Sequence, residues 1–509
     1  MKKILYRIAN STVVWISALI FTMITIMSLF STTFFIKDRV ESVIICQDSF
    51  LTNIFLILIL WVALCIIFMQ IDRCKLNLEY LEKLVLVVVL ACSVLWVIMV
   101  QANPFADGNE ICKAVISFAK GNYESLNKEG YFGKFPFQLG LLFVFEKLLW
   151  FAGNNNFIFL QILNALALIC AFHFIFKIFI LLFKNERAAV ILLILFSTCF
   201  PAMLYCTFIY GTMYGFALST GAVYFIVKYY KEKRIRYIIY AIPLLLLSVL
   251  LKNNYLIVFV ALACLMCAKC LQNNKIYILL FIPVFLCLNA MMNAGIKTYY
   301  ETRSGLEIHT GIPSIGWVAM GLQDGNKGHG WYNQTMFNTY NDSRQDTEQT
   351  AEKSKKIIEN TIESYRERPG EFLIFILNKV GSQWNEPTYE SLWVSEHPKN
   401  SNMHRVHLSR ISSSVYHGKL NDVYLGYCNI YHLLIFLSAA VCFWVYRRKL
   451  NIEHCIFAII IIGGFLFHIL WEANSKYILT YFIYVLPYAA IGLDYSIKYG
   501  QTLLNRIKK

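Results

Sequence analysis

Charge is what this chain has least of. Of its 509 residues only 15% are Asp, Glu, Lys or Arg, against 58% apolar. A soluble chain of this length carries amphipathic stripes instead of continuous apolar runs. Also missing are a glycine loop that cradles phosphate, a Ser-His-Asp order and any metal-ligand spacing. The first absence argues against an ATP-driven pump. The last leaves a metal unrequired, and no cofactor is called for. No internal repeat or low-complexity linker divides the chain.

What is present is a series of apolar runs of about 18 residues or more, the length that crosses a bilayer as a helix. The expected fold is an all-α polytopic membrane protein with about 12–13 transmembrane helices and an extracytoplasmic, α-rich loop domain. The formal charge of +15 lies mostly in short loops between apolar runs. Positive-inside orientation and attraction to anionic membrane lipid account for it, so nucleic acid is not expected as a partner.

Most of the fifteen cysteines fall within apolar segments, among them Cys65, Cys92, Cys170, Cys199, Cys287 and Cys442. Cys264, Cys267 and Cys270 are spaced three apart, but ALACLMCAKC reads as the end of a membrane helix carrying inert thiols. Cys46 and Cys112 both fall in expected outer loops, where a disulfide between them is open. The apolar stretch from Val13 to Ile36 is too long for a signal peptide and lacks a cleavage pattern, so it reads as an uncleaved first span.

Lys2, Lys3 and Arg7 put the N-terminus in the cytoplasm, and the first span then exits near Lys37. Spans near 51–70 and 84–101 follow, with the basic stretch IDRCKLNLEYLEK between them. An N-terminal three-helix region (1–102) therefore delivers a first outer loop (103–136). A central bundle (137–295) contains seven apolar segments, with the cytoplasmic run KYYKEKRIR at 228–236. Seven is odd, so one segment must fail to cross if both flanking loops are outside. The suspects are 137–152, which carries Glu146 and Lys147, and 237–251, which is short and contains Pro243. Residues 296–429 form a soluble outer domain with a helical pattern at Thr347–Arg368, followed by Pro369-Gly370 and FLIFILNKV, an apolar run too short for a span. A C-terminal three-helix region (430–509) ends in NRIKK, again cytoplasmic.

The stretch that organises the chain is QANPFADGNEICKAVISFAKGNYESLNKEGYFGKFPFQLG, residues 101–140. Asp107 and Glu110 stand just beyond a bilayer exit, on a helix-like loop that Pro104 and Gly108 can bend. A carboxylate there can act as general base towards an acceptor hydroxyl. An ordinary solvated loop acid is the competing reading.

The outer-loop acid, the amphipathic segment, Gly121-Asn122-Tyr123 and YF-x-x-FPFQ-x-G at 131–140 together resemble the C-type (GT-C) glycosyltransferases. Among these the chain resembles the protein O-mannosyltransferase and lipid A aminoarabinose transferase group, and related bacterial membrane glycosyltransferases. Where that group has His-Pro-Pro, this chain reads Phe135-Pro136-Phe137-Gln138, and two extra spans precede the loop. The resemblance implies a polyprenyl-phosphate sugar as donor and Asp107 as catalytic base. The departures bear on the sugar and the acceptor more than on the chemistry.

The same resemblance implies roles for two lysines. Lys252, in LLKNNYLI, resembles a break between mid-chain spans and would need a partner such as a lipid phosphate; a surface turn is the other reading. Lys476-Tyr477, in WEANSKY, matches a basic residue beside a tyrosine that contacts the donor phosphate, although a snorkelling lysine would look the same. Glu472 of that loop and Gln138 are candidates for sugar or acceptor contact. So are Trp331, in PSIGWVAMGLQDGNKGHGWYNQ, and Trp384 and Glu386, in QWNEPTYESLW. Aromatic residues gather at membrane interfaces without any ligand too. His173 and Lys177 read as packing or snorkelling residues, and His404 and His407 as loop residues without carboxylate partners.

The expected function is inverting transfer of a sugar from a polyprenyl-phosphate donor to an extracytoplasmic acceptor, a cell-surface glycan, glycolipid or protein. A transporter or flippase of lipid-linked saccharides would instead place polar residues deep in several spans. A polysaccharide polymerase would depend on arginine-rich loop motifs, and Arg303, Arg344, Arg366, Arg368, Arg405 and Arg410 form no repeat.

Overall fold

A computed structural model describes residues 1–35, 42–74, 76–273, 275–395 and 409–507. Lys37, His404, Arg405, His407 and the last two residues of the basic tail lie outside them. The described chain is helical almost throughout, with two short antiparallel hairpins. It is a polytopic all-α membrane protein.

Helix α1 (Lys2–Phe30) leads into the strands β1 (Ser31–Phe35) and β2 (Val43–Gln47), and α2 (Phe50–Ile71) and α3 (Leu78–Val100) follow. The first outer loop holds α4 (Ala106–Ala119) and α5 (Tyr131–Lys134). The central bundle comprises α6 (Leu139–Ala152), α7 (Phe157–Phe183), α8 (Glu186–Ser197), α9 (Phe200–Leu204), α10 (Thr212–Glu232), α11 (Arg236–Leu251), α12 (Leu256–Asn273) and α13 (Phe281–Ser304). Beyond it lie α14 (Ile315–Gly321), the hairpin of β3 (Asp324–Gly325) and β4 (Gly328–His329), α15 (Thr335–Asp342), α16 (Thr347–Glu367), α17 (Pro369–Trp384) and α18 (Ser409–His417). Three long helices finish the chain, α19 (Lys419–Tyr446), α20 (Ile456–Leu470) and α21 (Leu479–Ile507).

By length and composition seven of the described helices can cross a membrane, or up to nine if each of two bent pairs counts as one span. That is fewer than the twelve to thirteen expected. The shortfall falls on segments that are short (α11 and α20), bent (α5–α6 and α8–α9) or diluted by Tyr and Gly (α10 and α21). Of these, α8, α10 and most of α21 sit in the interior, where length and greasiness matter less because neighbours, not lipid, surround them. In α21 every residue from Ile478 to Asp494 is buried, whereas α2 is buried over only 11% of its most apolar stretch and faces outward.

Ion pairs mark one end of the bundle. Arg187 at the start of α8 bonds Asp72 after α2 at 2.8 Å and Asp494 in α21 at 3.2 Å. Glu453, before α20, holds Lys231 of α10 at 3.0 Å and Lys269 of α12 at 2.6 Å. His173 and Lys177 of α7 are not simple packing or snorkelling residues, since both contact Glu82 of α3 at 2.8 Å. Glu82, Glu453 and Asp494, buried or half-buried, are each compensated by two partners, which burial demands.

The opposite end gathers Ala102, Gln138, Leu160 and Cys206. Gln161 Nε2 donates to the Ala102 carbonyl at 2.5 Å, and Asn164 Nδ2 donates to the carbonyls of Cys206 (3.0 Å) and Phe208 (2.8 Å). These contacts bear on the parity of the central bundle. Gln138, just before α6, bonds Tyr210, and Leu160, just after the start of α7, accepts from Tyr214, one turn along α10. Both ends of α6 therefore lie at the same end of the molecule, the arrangement expected of a segment that does not cross. Helix α6 lies against the end of α13, where Arg303 Nη1 bonds Glu146 Oε1 at 2.8 Å and Tyr300 OH donates to Glu146 Oε2 at 2.6 Å. Its far end exposes Trp150 and Phe151, side chains suited to a membrane interface.

The expected boundaries of the outer domain at 296 and 429 fall inside α13 and α19. The helical pattern expected at Thr347–Arg368 is α16, and FLIFILNKV lies within α17. All fifteen cysteines are free, and Cys46 is exposed while Cys112 is buried in α4; no disulfide joins them. Among the described residues no cluster could hold a metal ion.

The placement of α6 is testable with Lys120→Cys and Asn155→Cys, made where the exposed native cysteines are replaced by serine. In sealed vesicles a membrane-impermeant maleimide labels both from the same side. Labelling from opposite sides would mean that α6 crosses.

Candidate active site

The site is assembled by close backbone approaches. In α4 the apolar residues Ile111, Cys112, Ala114, Val115 and Phe118 form one buried face that packs on α6. Asp107 is in the first turn, where the helix dipole favours an anion. Ala106, immediately before it, has φ of 46°, a left-handed conformation that costs a non-glycine residue about 1–2 kcal/mol. At Gly108 a Cβ would stand 2.1 Å from the Ile209 carbonyl oxygen. Only glycine allows α4 to sit this close to the 205–211 loop, and so brings Asp107 beside Tyr210.

A second approach works the same way. A Cβ at Gly211 would meet the Leu251 carbonyl oxygen at 2.0 Å. The start of α10 is thereby pressed against the break between α11 and α12, and Lys252 Nζ donates to Thr212 Oγ1 at 2.9 Å. Tyr255 OH donates to the Thr212 carbonyl at 2.5 Å and fixes the same junction.

The third component is the loop between α20 and α21. Its Trp471 ring stacks on Trp317 with centroids 5.8 Å apart, and Ala473 N donates to the Gly330 carbonyl at 2.8 Å. Lys379 of α17, fully enclosed, donates to the carbonyls of Gly321 and Trp471. Glu390 Oε1 accepts from Ser475 Oγ at 3.1 Å and from Lys476 N at 3.3 Å, while its Oε2 lies 3.6 Å from Lys476 Nζ. Glu390 reaches that position through a strained turn, in which Tyr389 and Glu390 have φ of 51° and 55°.

Asp107, Lys252 and Lys476 come together at this junction. Both ammonium groups lie near the Tyr477 ring, 5.2 Å (Lys252) and 5.7 Å (Lys476) from its centroid. Lys252 is also 5.3 Å from the Tyr210 ring. Asp107 is set deep among these groups, yet its side chain is exposed. A small cavity beside it is lined by Thr212, Lys252, Tyr255 and Tyr477. Desolvation pushes the Asp107 carboxyl above the ordinary value, while the Tyr131 hydroxyl and the charges of Lys476 and Lys252 pull it back. Desolvation, reinforced by Lys476 and opposed by Asp107, brings Lys252 down to about 7. One carboxylate and two cations clustered at one junction can accept a proton and hold a phosphate.

The other expected site residues are placed differently. Glu110 accepts from Lys113 Nζ at 2.9 Å on the half-exposed side of α4. Gln138 is buried with its Nε2 donating to Tyr210 OH at 2.5 Å, so it braces that tyrosine. Glu472 lies close enough to Tyr332 and Tyr477 for its charge to raise both phenols.

Trp331 and Trp384, expected to face a sugar, are fully buried. Trp331 Nε1 donates to Ser382 Oγ at 2.9 Å, and Trp384 packs against Phe465 and Tyr481. Neither offers a face to a ligand, because the loop that carries Trp331 and the end of α17 that carries Trp384 both turn inward. Glu386, expected to contact sugar or acceptor, is buried as well. Its Oε1 accepts from Thr388 N at 2.9 Å and its Oε2 from Glu390 N at 2.8 Å, so it shapes the turn that carries Glu390. Sequence reasoning passed over Tyr210, Thr212 and Glu390 and took Tyr131 only as the first residue of the motif at 131–140. Of the three passed over only Glu390 carried a signal, a second acid within NEPTYE.

Gly108→Ala tests the assembly. The added methyl must displace α4 from Ile209, at a cost of about 1–3 kcal/mol. The expected outcome is a folded protein of lower thermal stability, measured in detergent, with Asp107 moved away from Tyr210. An unchanged midpoint would mean that the approach at Ile209 does not hold α4.

Comparison with known proteins adds the following. No curated protein matches the chain. Among solved structures, the archaeal oligosaccharyltransferase AglB from Archaeoglobus fulgidus, in complex with an inhibitory peptide and a dolichol-phosphate, is similar with a TM-score of 0.40 and 13% identity. The match covers 84% of this chain and 51% of that one, so the chain spans about half the length of AglB. So slight a likeness bears on neither fold nor activity. Residues 5–497 match a family described as conserved hypothetical integral membrane protein. The match takes in nearly the whole chain, which therefore belongs to that family of integral membrane proteins.

Proposed function

We propose that the protein is a membrane glycosyltransferase that moves a sugar from a polyprenyl-phosphate carrier to a hydroxyl acceptor, with Asp107 as general base. The observation that carries this reading is the convergence of Asp107, Lys252 and Lys476, from three loops far apart in sequence, on one cluster around Tyr477 and Tyr210 at one end of the bundle. A carrier anchored by its lipid tail would bring its phosphate to the level of these lysines while its sugar projects towards the carboxylate.

In the proposed reaction the acceptor oxygen attacks the anomeric carbon and the bond from that carbon to the phosphate oxygen breaks. Asp107 takes the acceptor's proton, and the lipid phosphate leaves with its charge held by Lys252 and Lys476. Attack opposite the leaving group inverts the anomeric centre. The acceptor is a cell-surface glycan, a glycolipid or a protein. The termini are cytoplasmic and the end bearing Asp107 extracytoplasmic, in keeping with the basic residues of the first helix and the 228–236 run at the other end.

Reconstituted in vesicles with a panel of radiolabelled polyprenyl-phosphate sugars, the protein should transfer label to one class of acceptor. Asp107→Asn should lower that rate by about 10²–10⁴-fold without loss of folding. Wild-type rates in the variant would reject the base assignment.

The pH profile of kcat/KM supplies a second test. Asp107 must be ionised to accept a proton, so activity falls as pH drops through its raised value. Lys252 must be protonated to bind phosphate, so activity also falls as pH rises past about 7. In Lys252→Arg the guanidinium stays charged, and the alkaline limb should move to higher pH. An alkaline limb that does not move removes Lys252 from the phosphate site.

A further inference from the structure

Helix α17 belongs to the region between α13 and α19 and is not among the helices long and apolar enough to span. Its side chains nonetheless divide into two unlike faces. Phe375, Lys379, Ser382 and Gln383 turn inward and are buried. Leu373 and Ile374 are each 59% exposed, and Phe372 and Leu377 are exposed beside them. A contiguous row of large apolar side chains facing water is costly and marks a surface that something covers.

The surroundings indicate what covers it. Residues 381–385 are tied to the end of α1 and the strand after it. Thr33 Oγ1 donates to the Gly381 carbonyl at 3.0 Å, Ser28 Oγ donates to Asn385 Oδ1 at 2.6 Å, and Asn385 Nδ2 donates to the Ser31 carbonyl at 2.8 Å. The C-terminal end of α17 is thus level with the point where α1 ends. Next to it β2 exposes Ile44 and Ile45, and beyond them Phe30 and Phe50 stack with centroids 5.0 Å apart at the mouth of α2. This apolar row is continuous with the outward face of α2, the least enclosed of the candidate spans. On the exposed side charge sits at the other end of the helix, where Arg368 Nη1 bonds Glu371 Oε2 at 2.8 Å, while Lys379 turns inward. A helix with a charged start, an apolar flank and an end level with a membrane exit fits the interface plane of a bilayer.

We infer that α17 is a half-inserted helix whose Phe372–Leu377 flank lies among lipid acyl chains, so that the region between α13 and α19 is anchored in the membrane away from its spans. The occupant is the bilayer itself. The inference rests on the fold and not on the proposed reaction.

The test uses the full chain in phosphatidylcholine vesicles, with a photoreactive benzophenone side chain in place of Leu373 or Leu377. Leu58 on α2 serves as the lipid-facing control, and Glu363 on α16 as the water-facing one. Mass spectrometry after irradiation should find phosphatidylcholine adducts at 373, 377 and 58, and none at 363. Cross-linking of 373 or 377 to a second copy of the chain would identify a protein interface and overturn the inference. Absence of lipid adducts at both positions while position 58 reacts would overturn it as well.

Discussion

Two carbonyl oxygens, those of Ile209 and Leu251, lie so close to neighbouring α-carbons that no side chain fits between. The rest of the site depends on these two approaches. The first brings the loop helix α4 against the mid-bundle loop, and the second brings the start of α10 against the break between α11 and α12. Without them Asp107 and Lys252 would be separated by ordinary side-chain packing, and each would be a solvated charge of little consequence. Together they enclose enough low-dielectric protein to move both groups away from their usual proton affinities.

The far end of the bundle uses charge differently. Arg187 and Glu453 each bridge two separate elements, and Glu82 of α3 takes two partners from α7. Those contacts pair these charges locally. The contrast between the ends is chemical: one is closed by complementary pairs, and the other brings a carboxylate and two cations together.

Much of the architecture was legible in the sequence. The apolar runs gave the helices, and the polar, periodic stretch at Thr347–Arg368 became α16 almost to the residue. The odd number of central segments pointed to one that stays on its own side, and the two ends of 137–152 lie at the same end of the bundle. Hydropathy could not choose between this segment and 237–251, because the relevant contacts, Gln138 to Tyr210 and Leu160 to Tyr214, are tertiary. For the same reason the aromatic-rich loops misled. Composition marks Trp331 and Trp384 as large flat surfaces but says nothing of whether a loop folds outward or inward. Glu386 and Glu390 sit four residues apart, and only the left-handed turn between them decides which one reaches Lys476.

The two ammonium groups beside Tyr477 are mounted on different frames. Lys252 stands at a junction of two bundle helices, whereas the Lys476 loop is laced by Glu390, Lys379 and Trp317 to the layer between α13 and α19. Their separation is therefore a gauge of how that layer sits on the helices beneath. Any rocking of one body against the other would open or narrow the gap between the two positive centres, like the jaws of a caliper.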